Sequence, residues 1–269
     1  MNKVKVLLCF LVILVLNIGI LISCTSISKE NINSNNLDIE EITPTEASVK
    51  DIIGTCVRFG NYFKDDDINL KPLLWDVVEV KESKVFLITT HIIDCEPFLV
   101  ADTQKNSDTY WTHSNIREWL NNEFYNTAFS NNEKNMILYE YLKILNHSRY
   151  EGGREAEFSK DYVFLMTAQQ AENAPSYILR AVATKHAKSK GVFFDPNDYA
   201  IWWLMSPGFY SHAASCVDIY GNIQNGSLKN SFTDTPMDAN YCGVRPMIAV
   251  DYDAFMEIYD EIKTDVIYN

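Results

Sequence analysis

The polar residues that follow AIWWLMSPG, residues 200–208, are of the types that recognise hydroxyl groups. Asp218, Asn222, Asn225, Asp238 and Asn240 can bond sugar hydroxyls, and an aromatic face such as Trp203 can stack on the apolar side of a sugar ring. Arg245, fixed before Pro246, could grip a ligand or neutralise a buried carboxylate. The two tryptophans also admit a plainer role. On a strand, Trp202 and Trp203 point to opposite faces, so one can enter the core while the other stays near the surface. The expectation is that both rings pack into the core and brace the turn at Pro207-Gly208, making the segment a corner of the fold. The irregular stretch 222–242 is then the expected recognition surface, because loops on a rigid scaffold carry most binding.

Four cysteines lie in the folded part: Cys56, Cys95, Cys216 and Cys242. An even count permits disulfides outside the cytoplasm. Cys216 sits on a strand and Cys242 just before the terminal strand, which favours that bond and leaves Cys56 with Cys95. The alternative is four buried thiols. The histidines at 91, 113, 147, 186 and 212 share no ligand spacing. No H-E-x-x-H, C-x-x-C, Walker A, G-x-S-x-G or Rossmann glycine pattern is present, so no catalysis is expected. Asp65-Asp66-Asp67 reads as a solvated acidic loop.

The chain opens with Lys3 and Lys5, then an apolar run from Val6 to Ile22. That is the pattern of an export signal. The run ends Leu21-Ile22-Ser23-Cys24, which resembles the lipobox of bacterial lipoproteins and implies lipidation of Cys24 after removal of residues 1–23. Residues 24–50, rich in Ser, Asn, Thr and Glu, read as a disordered tether. Residues 51–269 suffice for one domain with a sizeable core. The formal charge is −13, and about −15 once the two leader lysines are removed. Such a surface excludes nucleic acid as a partner and disfavours anionic headgroups. The lipid would hold the protein at the membrane on the extracytoplasmic side.

Strand patterns come first in the domain: TCVRFGNY, LLWDVVEV and KVFLITT, with KESK as a hairpin turn. Ile116, Trp119, Leu120 and Phe124 mark one face of a helix. Capping boxes at Ser130–Glu133 and Thr167–Gln170 start two more, and a further helix is expected from Ser176 to about Lys188. DYVFLM, AIWWLM, a hairpin of SCVDIYG with NIQNGSL, and GVRPMIAVD return to strand. Strands, then helices, then strands indicate an α+β fold.

With these segments placed, the domain resembles a bacterial family with a WWLRSPG…VRPA signature, domain-of-unknown-function family 6273. VRFGNY, LLWDVVEV, WTHSNIREWLNNEFYNTAFSNNEKNMI, DYVFLMTAQQAENA, AIWWLMSPG, VDIYG and VRPMIAVD follow the family's order, from about Ile52 to Asp253. Met205 stands where the family usually has arginine. More distantly, the chain end is similar to C-type-lectin-like folds and the formylglycine-generating enzymes. That resemblance implies small twisted antiparallel sheets, a few helices and a long loop region near the C-terminus. It further implies a glycan- or protein-binding module, or, as the alternative, a thiol oxidase using Cys216 and Cys242. A structural envelope protein is the third reading. Asp195-Pro196-Asn197-Asp198 resembles a lectin calcium motif, but it is also a routine turn sequence and precedes WWL, unlike the lectin order.

Overall fold

Alternating burial begins the domain. The computed structural model describes residues 52–65, 68–100, 110–145, 156–208, 210, 212–224 and 235–265, all within one unit spanning Thr43–Asn269. Strands β1 (Cys56–Phe63), β2 (Leu70–Lys81) and β3 (Lys84–Thr89) form an antiparallel meander. In β2, Leu73, Trp75 and Val77 turn inward, and the Trp75 indole donates to the Phe59 carbonyl at 2.6 Å. The turn between β2 and β3 puts Glu82 at φ 53° and Ser83 at φ 56°. Two left-handed residues match the twist of a two-residue hairpin, here without the glycine or asparagine usually found there.

After β4 (Asp94–Cys95) the chain turns helical: Asn115–Trp119 is α, Leu120–Phe124 is a π turn, and Tyr125–Ala128 is α again. Ile116, Leu120 and Phe124 are fully buried, as their spacing predicts. Ser130 and Glu133 form the expected capping box on Asn131–Met136, and Thr167 and Gln170 do so on Ala168–Asn173. Between them lie β5 (Ile137–Leu138), β6 (Glu140–Ile144), β7 (Glu157–Asp161) and β8 (Val163–Phe164).

The helix expected over 176–188 is not continuous. Helices Ser176–Leu179 and Lys185–Ser189 are separated by a segment in which Val182 bridges to Tyr199 and Ala183 to Ile92. Its backbone is spent on those partners: Ile92 N–H donates to Val182 O and Thr184 N–H to Ile92 O. Tertiary pairing here overrides local propensity.

The chain ends with β9 (Trp202–Pro207), β10 (Ala213–Val217), β11 (Ile223–Gln224), β12 (Thr235–Pro236), β13 (Gly243–Val244), β14 (Met247–Asp251), helix Tyr252–Ile262 and β15 (Lys263–Thr264). One sheet runs β15-β1-β2-β3-β14-β5, with β8 also on β14; the second runs β11-β10-β9-β13-β4, with β12 on β10. Only the β13–β9 pair is parallel among the described strands. A third, two-stranded sheet pairs β6 with β7. The architecture is α+β, mostly antiparallel, in one domain. Arg245-Pro246 joins β13 in the second sheet to β14 in the first. Gly243 has no room for a side chain, since a Cβ would lie 2.3 Å from an Ile92 methyl. Among the described residues no helix is long and apolar enough to cross a membrane.

Candidate functional site

Both tryptophans are fully buried, because β9 is central in its sheet and covered on both faces. Trp202 donates its indole N–H to Leu179 O at 3.1 Å, and Trp203 donates to Glu96 O at 2.8 Å beside the Phe98 ring. Both rings therefore pack into the core, as the structural reading expected, and Trp203 cannot be a ligand platform. Arg245 takes the buried option. Its Nε donates to Thr89 O at 2.7 Å, Nη1 donates to Ile178 O, and Nη2 lies 3.5 Å from Asp76. Its guanidinium also faces the Trp202 ring at 5.2 Å.

The polar residues of the expected recognition stretch do not form one site. Asp218 is committed to its own hairpin. One carboxylate oxygen accepts from the Tyr220 and Asn222 N–H groups, the other from the Asn222 and Gln224 side chains. Asp238 and Asn240 are exposed on the turn after β12. No hydrogen bond among the described residues joins them to Asp218, and Asn225 lies outside the described residues. Asp195 accepts from the Asn197 and Tyr199 N–H groups while Asp198 pairs with Lys188, so the acidic run 195–198 is a turn.

All four cysteines are buried free thiols, which corrects the expected bridges. Cys56 contacts Thr90 in the first sheet, whereas Cys95 sits on β4 of the second and donates toward Asn240 O and Cys242 O. Cys216 and Cys242 do contact one another. The pair nevertheless stands as two buried thiols and not as a bridge. Burial pushes the Cys242 thiol well up, with Cys216 adding to it, and pushes Cys95 up to about 12.

A second buried network was not foreseen. Tyr62 O–H donates to Asp94 Oδ2 at 2.7 Å, and His186 Nε2 lies 3.2 Å from the same oxygen. Burial alone would push the Asp94 carboxyl up. Hydrogen bonds from His186, Tyr62 and the Cys95 N–H outweigh it and hold the carboxyl below its ordinary value. All three side chains are closed to solvent, so they clamp β1, β4 and helix Lys185–Ser189 together rather than meet a ligand.

The groups that do converge at the surface lie elsewhere. A groove of about 410 Å³ opens between helix Asn115–Trp119, the π turn and the β6–β7 hairpin, lined by Thr112, His113, Arg117, Glu118, Asn122 and Tyr162 among others. Its floor is fixed by Asp161, which accepts from the Trp111 indole at 2.9 Å, Arg117 Nε at 2.7 Å and Ser159 O–H at 2.5 Å. Asn121 locks the helix to the sheet, accepting from the Tyr162 and Val163 N–H groups and donating to Val163 O. One wall is aromatic: Tyr162 stacks on Tyr125 at 4.9 Å and meets Tyr139 at 4.4 Å. Beneath Thr112, Glu157 Oε2 accepts twice from that residue, while its buried Oε1 has no hydrogen-bond partner among the described residues. The aromatic wall and the fixed floor leave His113, Glu118 and Asn122 exposed at the rim. Each of those is a donor or acceptor suited to a polyhydroxylated ligand.

A larger groove, about 600 Å³, lies between β2 and helix Ala168–Asn173. Val78, Met166, Ile178 and Met247 form its base, and Gln169 and Asn173 stand exposed over it. Among the described residues it has no aromatic face and no buried polar anchor, so it offers less directional chemistry.

The helical half of the polar groove was read from the sequence as core packing, and β6–β7 was not read at all. The available signal was the alternation Tyr139-Glu140-Tyr141-Leu142-Lys143, a strand with an aromatic outer face.

No curated protein and no solved structure matches the chain. A family model described as "Domain of unknown function (DUF6273)" matches residues 82–252. The helical signature, AIWWLMSPG and VRPMIAVD fall inside that span together with the whole groove, whereas VRFGNY and LLWDVVEV precede it. The match covers well over half of the sequence, and the chain belongs to the DUF6273 family.

Proposed function

We propose that this is an exported, lipid-anchored, extracytoplasmic protein whose folded domain binds saccharide in the polar groove without catalysis. The observation that carries this is the meeting of a stacked tyrosine wall with rigidly held polar groups at one opening. Sugars need both parts: ring faces for their C–H surface and fixed donors and acceptors for their hydroxyls. Asp161 is held by four donor atoms, from Trp111, Ser159 and the Nε and Nη2 of Arg117, and so orients the floor instead of abstracting a proton. The aromatic strand, the Asn-rich segment and the Arg-containing terminal strand support a layout similar to C-type-lectin-like folds. A thiol-oxidase role is disfavoured, because Cys216 and Cys242 are fully buried and burial raises the Cys242 thiol. A reactive thiol needs the opposite environment.

Export rests on the basic start, the apolar run to Ile22 and the cysteine at 24. Replacing Cys24 with serine is expected to release the protein from the membrane fraction, because lipid chains supply the tether. Retention of Cys24→Ser with membranes would end the lipoprotein reading.

Binding is tested by presenting the full chain to an array of glycans and cell-wall fragments, with and without calcium. A hit is expected to weaken about tenfold in Asn122→Ala and in Tyr139→Ala, roughly the worth of one good polar or stacking contact. Both residues are exposed, so neither change should disturb folding. A hit lost instead in Asp238→Ala with Asn240→Ala would move the site to that turn. A silent array would refute saccharide binding.

A further inference from the structure

The outer face of the β6–β7 hairpin carries three cross-strand rungs, two of them pairing an aromatic ring with a lysine. Tyr141 pairs with Lys160 and Lys143 with Phe158, and one rung further along Tyr139 meets Tyr162. Successive side chains alternate across a strand, so these rungs share one face. Leu142, Ile144, Glu157, Ser159 and Asp161 are buried on the other. Tyr141 is 76 % and Phe158 71 % exposed. Lys160 Nζ sits 4.6 Å from the ring centroids of both Tyr139 and Tyr141.

We infer that this ladder extends the groove, and that the ligand is an anionic saccharide chain, of the uronate-polymer type, rather than a single neutral sugar. The inference rests on the saccharide reading of the groove and deepens it. Continuity comes from Tyr139 and Tyr162, which belong to both surfaces. Rungs two residues apart are spaced about 6.6–6.8 Å, so the ladder accommodates several linked rings. Charge supplies the class. The protein carries −13 overall, yet the outward positions 139, 141, 143, 158, 160 and 162 include two lysines and no carboxylate. Each lysine stands across the ladder from an exposed ring, so a sugar stacked on that ring brings its carboxylate to the ammonium. A protein partner fits less well, since lysine is depleted at the centre of protein interfaces and Lys160 is in the central rung. A polynucleotide fits less well, because its affinity rests on many cationic contacts to phosphate, whereas two lysines are enough to add a preference to a saccharide held by ring stacking.

The test measures affinity of the full chain for polygalacturonate oligomers and for neutral glucan oligomers of matched length, at low and near-physiological salt. Polygalacturonate is expected to bind about 5- to 10-fold tighter, with the preference shrinking as salt rises. Lys143→Gln with Lys160→Gln should abolish the preference while leaving the neutral glucan unchanged. Tyr141→Ala with Phe158→Ala should weaken long oligomers of both kinds and spare short ones. Equal affinity for the two polymers with a silent lysine pair would overturn the anionic-chain inference; sensitivity to Asn122→Ala would then show the groove reading intact. Binding of oligothymidylate through the same lysines would overturn it as well, as would a concentration-dependent dimer lost in Tyr141→Ser. If neither polymer binds and Asn122→Ala changes nothing, both readings fail together.

Discussion

Arg245→Met is expected to cost about 3–5 kcal/mol of folding stability, the usual consequence of removing one partner from a buried ion pair. The guanidinium is 1 % exposed and sits where the chain passes from one sheet to the other. Its three nitrogens serve three directions: the Thr89 carbonyl at the end of β3, the Ile178 carbonyl in a short helix, and the Asp76 carboxylate on β2. Methionine fills much of the volume but satisfies none of them. Lysine should rescue little, because a single ammonium cannot reproduce a planar fork. Asp76 keeps the Thr90 hydroxyl at 3.0 Å but loses its cation. Adding Asp76→Asn to Arg245→Met should therefore recover part of the loss, and a double-mutant cycle in urea would read that coupling. A single-variant loss below about 1 kcal/mol would show that the charge does not anchor the crossover.

The parts of this fold legible in the sequence were those decided locally. Ser130 with Glu133 and Thr167 with Gln170 cap the helices they were expected to cap, since a capping box needs only residues three apart. The spacing of Ile116, Leu120 and Phe124 gave the buried helix face, though not the π turn inside it. KESK made its hairpin, and SCVDIYG paired with NIQNGSL around Gly221. What failed depended on distant partners. Nothing near Val182 announces that Tyr199 and Ile92 will claim the backbone on either side of it. The cysteine reading brought Cys216 and Cys242 together correctly but not their chemistry, since they meet as buried thiols. WWLMSPG was read as structural with both rings in the core, and both are buried because β9 is covered on both faces. The candidate site was least legible of all. Arg117, Asp161 and Tyr139 are of ordinary types for a helix or a strand, and only folding brings them to one opening. Asp218 and Asn222 looked more like a site in sequence because turn-forming and hydroxyl-binding residues are the same residues.

Stability should also fall by about 2 kcal/mol between pH 7 and pH 4.5 through one residue, His91. Burial depresses the His91 imidazole to about 4, with the charges of Lys64 and Arg245 acting in the same direction. Above about pH 6.5 the ring is neutral in both folded and unfolded chains, so its contribution is fully present. As pH falls below that value the unfolded chain takes up a proton that the folded protein refuses. Stability is then lost at up to about 1.4 kcal/mol per pH unit until the folded ring titrates. His91 is partly open to solvent, which trims the full difference toward the smaller figure given. Other groups act in neighbouring windows. Glu96, raised by burial and by Asp94, favours the folded state as pH drops; the depressed Asp94 withdraws its support only at still lower pH. Comparing the protein with His91→Gln cancels both, because glutamine keeps a polar side chain there but cannot titrate. The fall in urea midpoint between pH 7 and pH 4.5 should be smaller in the variant than in the parent, by the equivalent of about 2 kcal/mol. Equal pH sensitivity of the two proteins would mean that His91 is protonated as readily when folded as when unfolded, and that the acid response comes from the carboxylates.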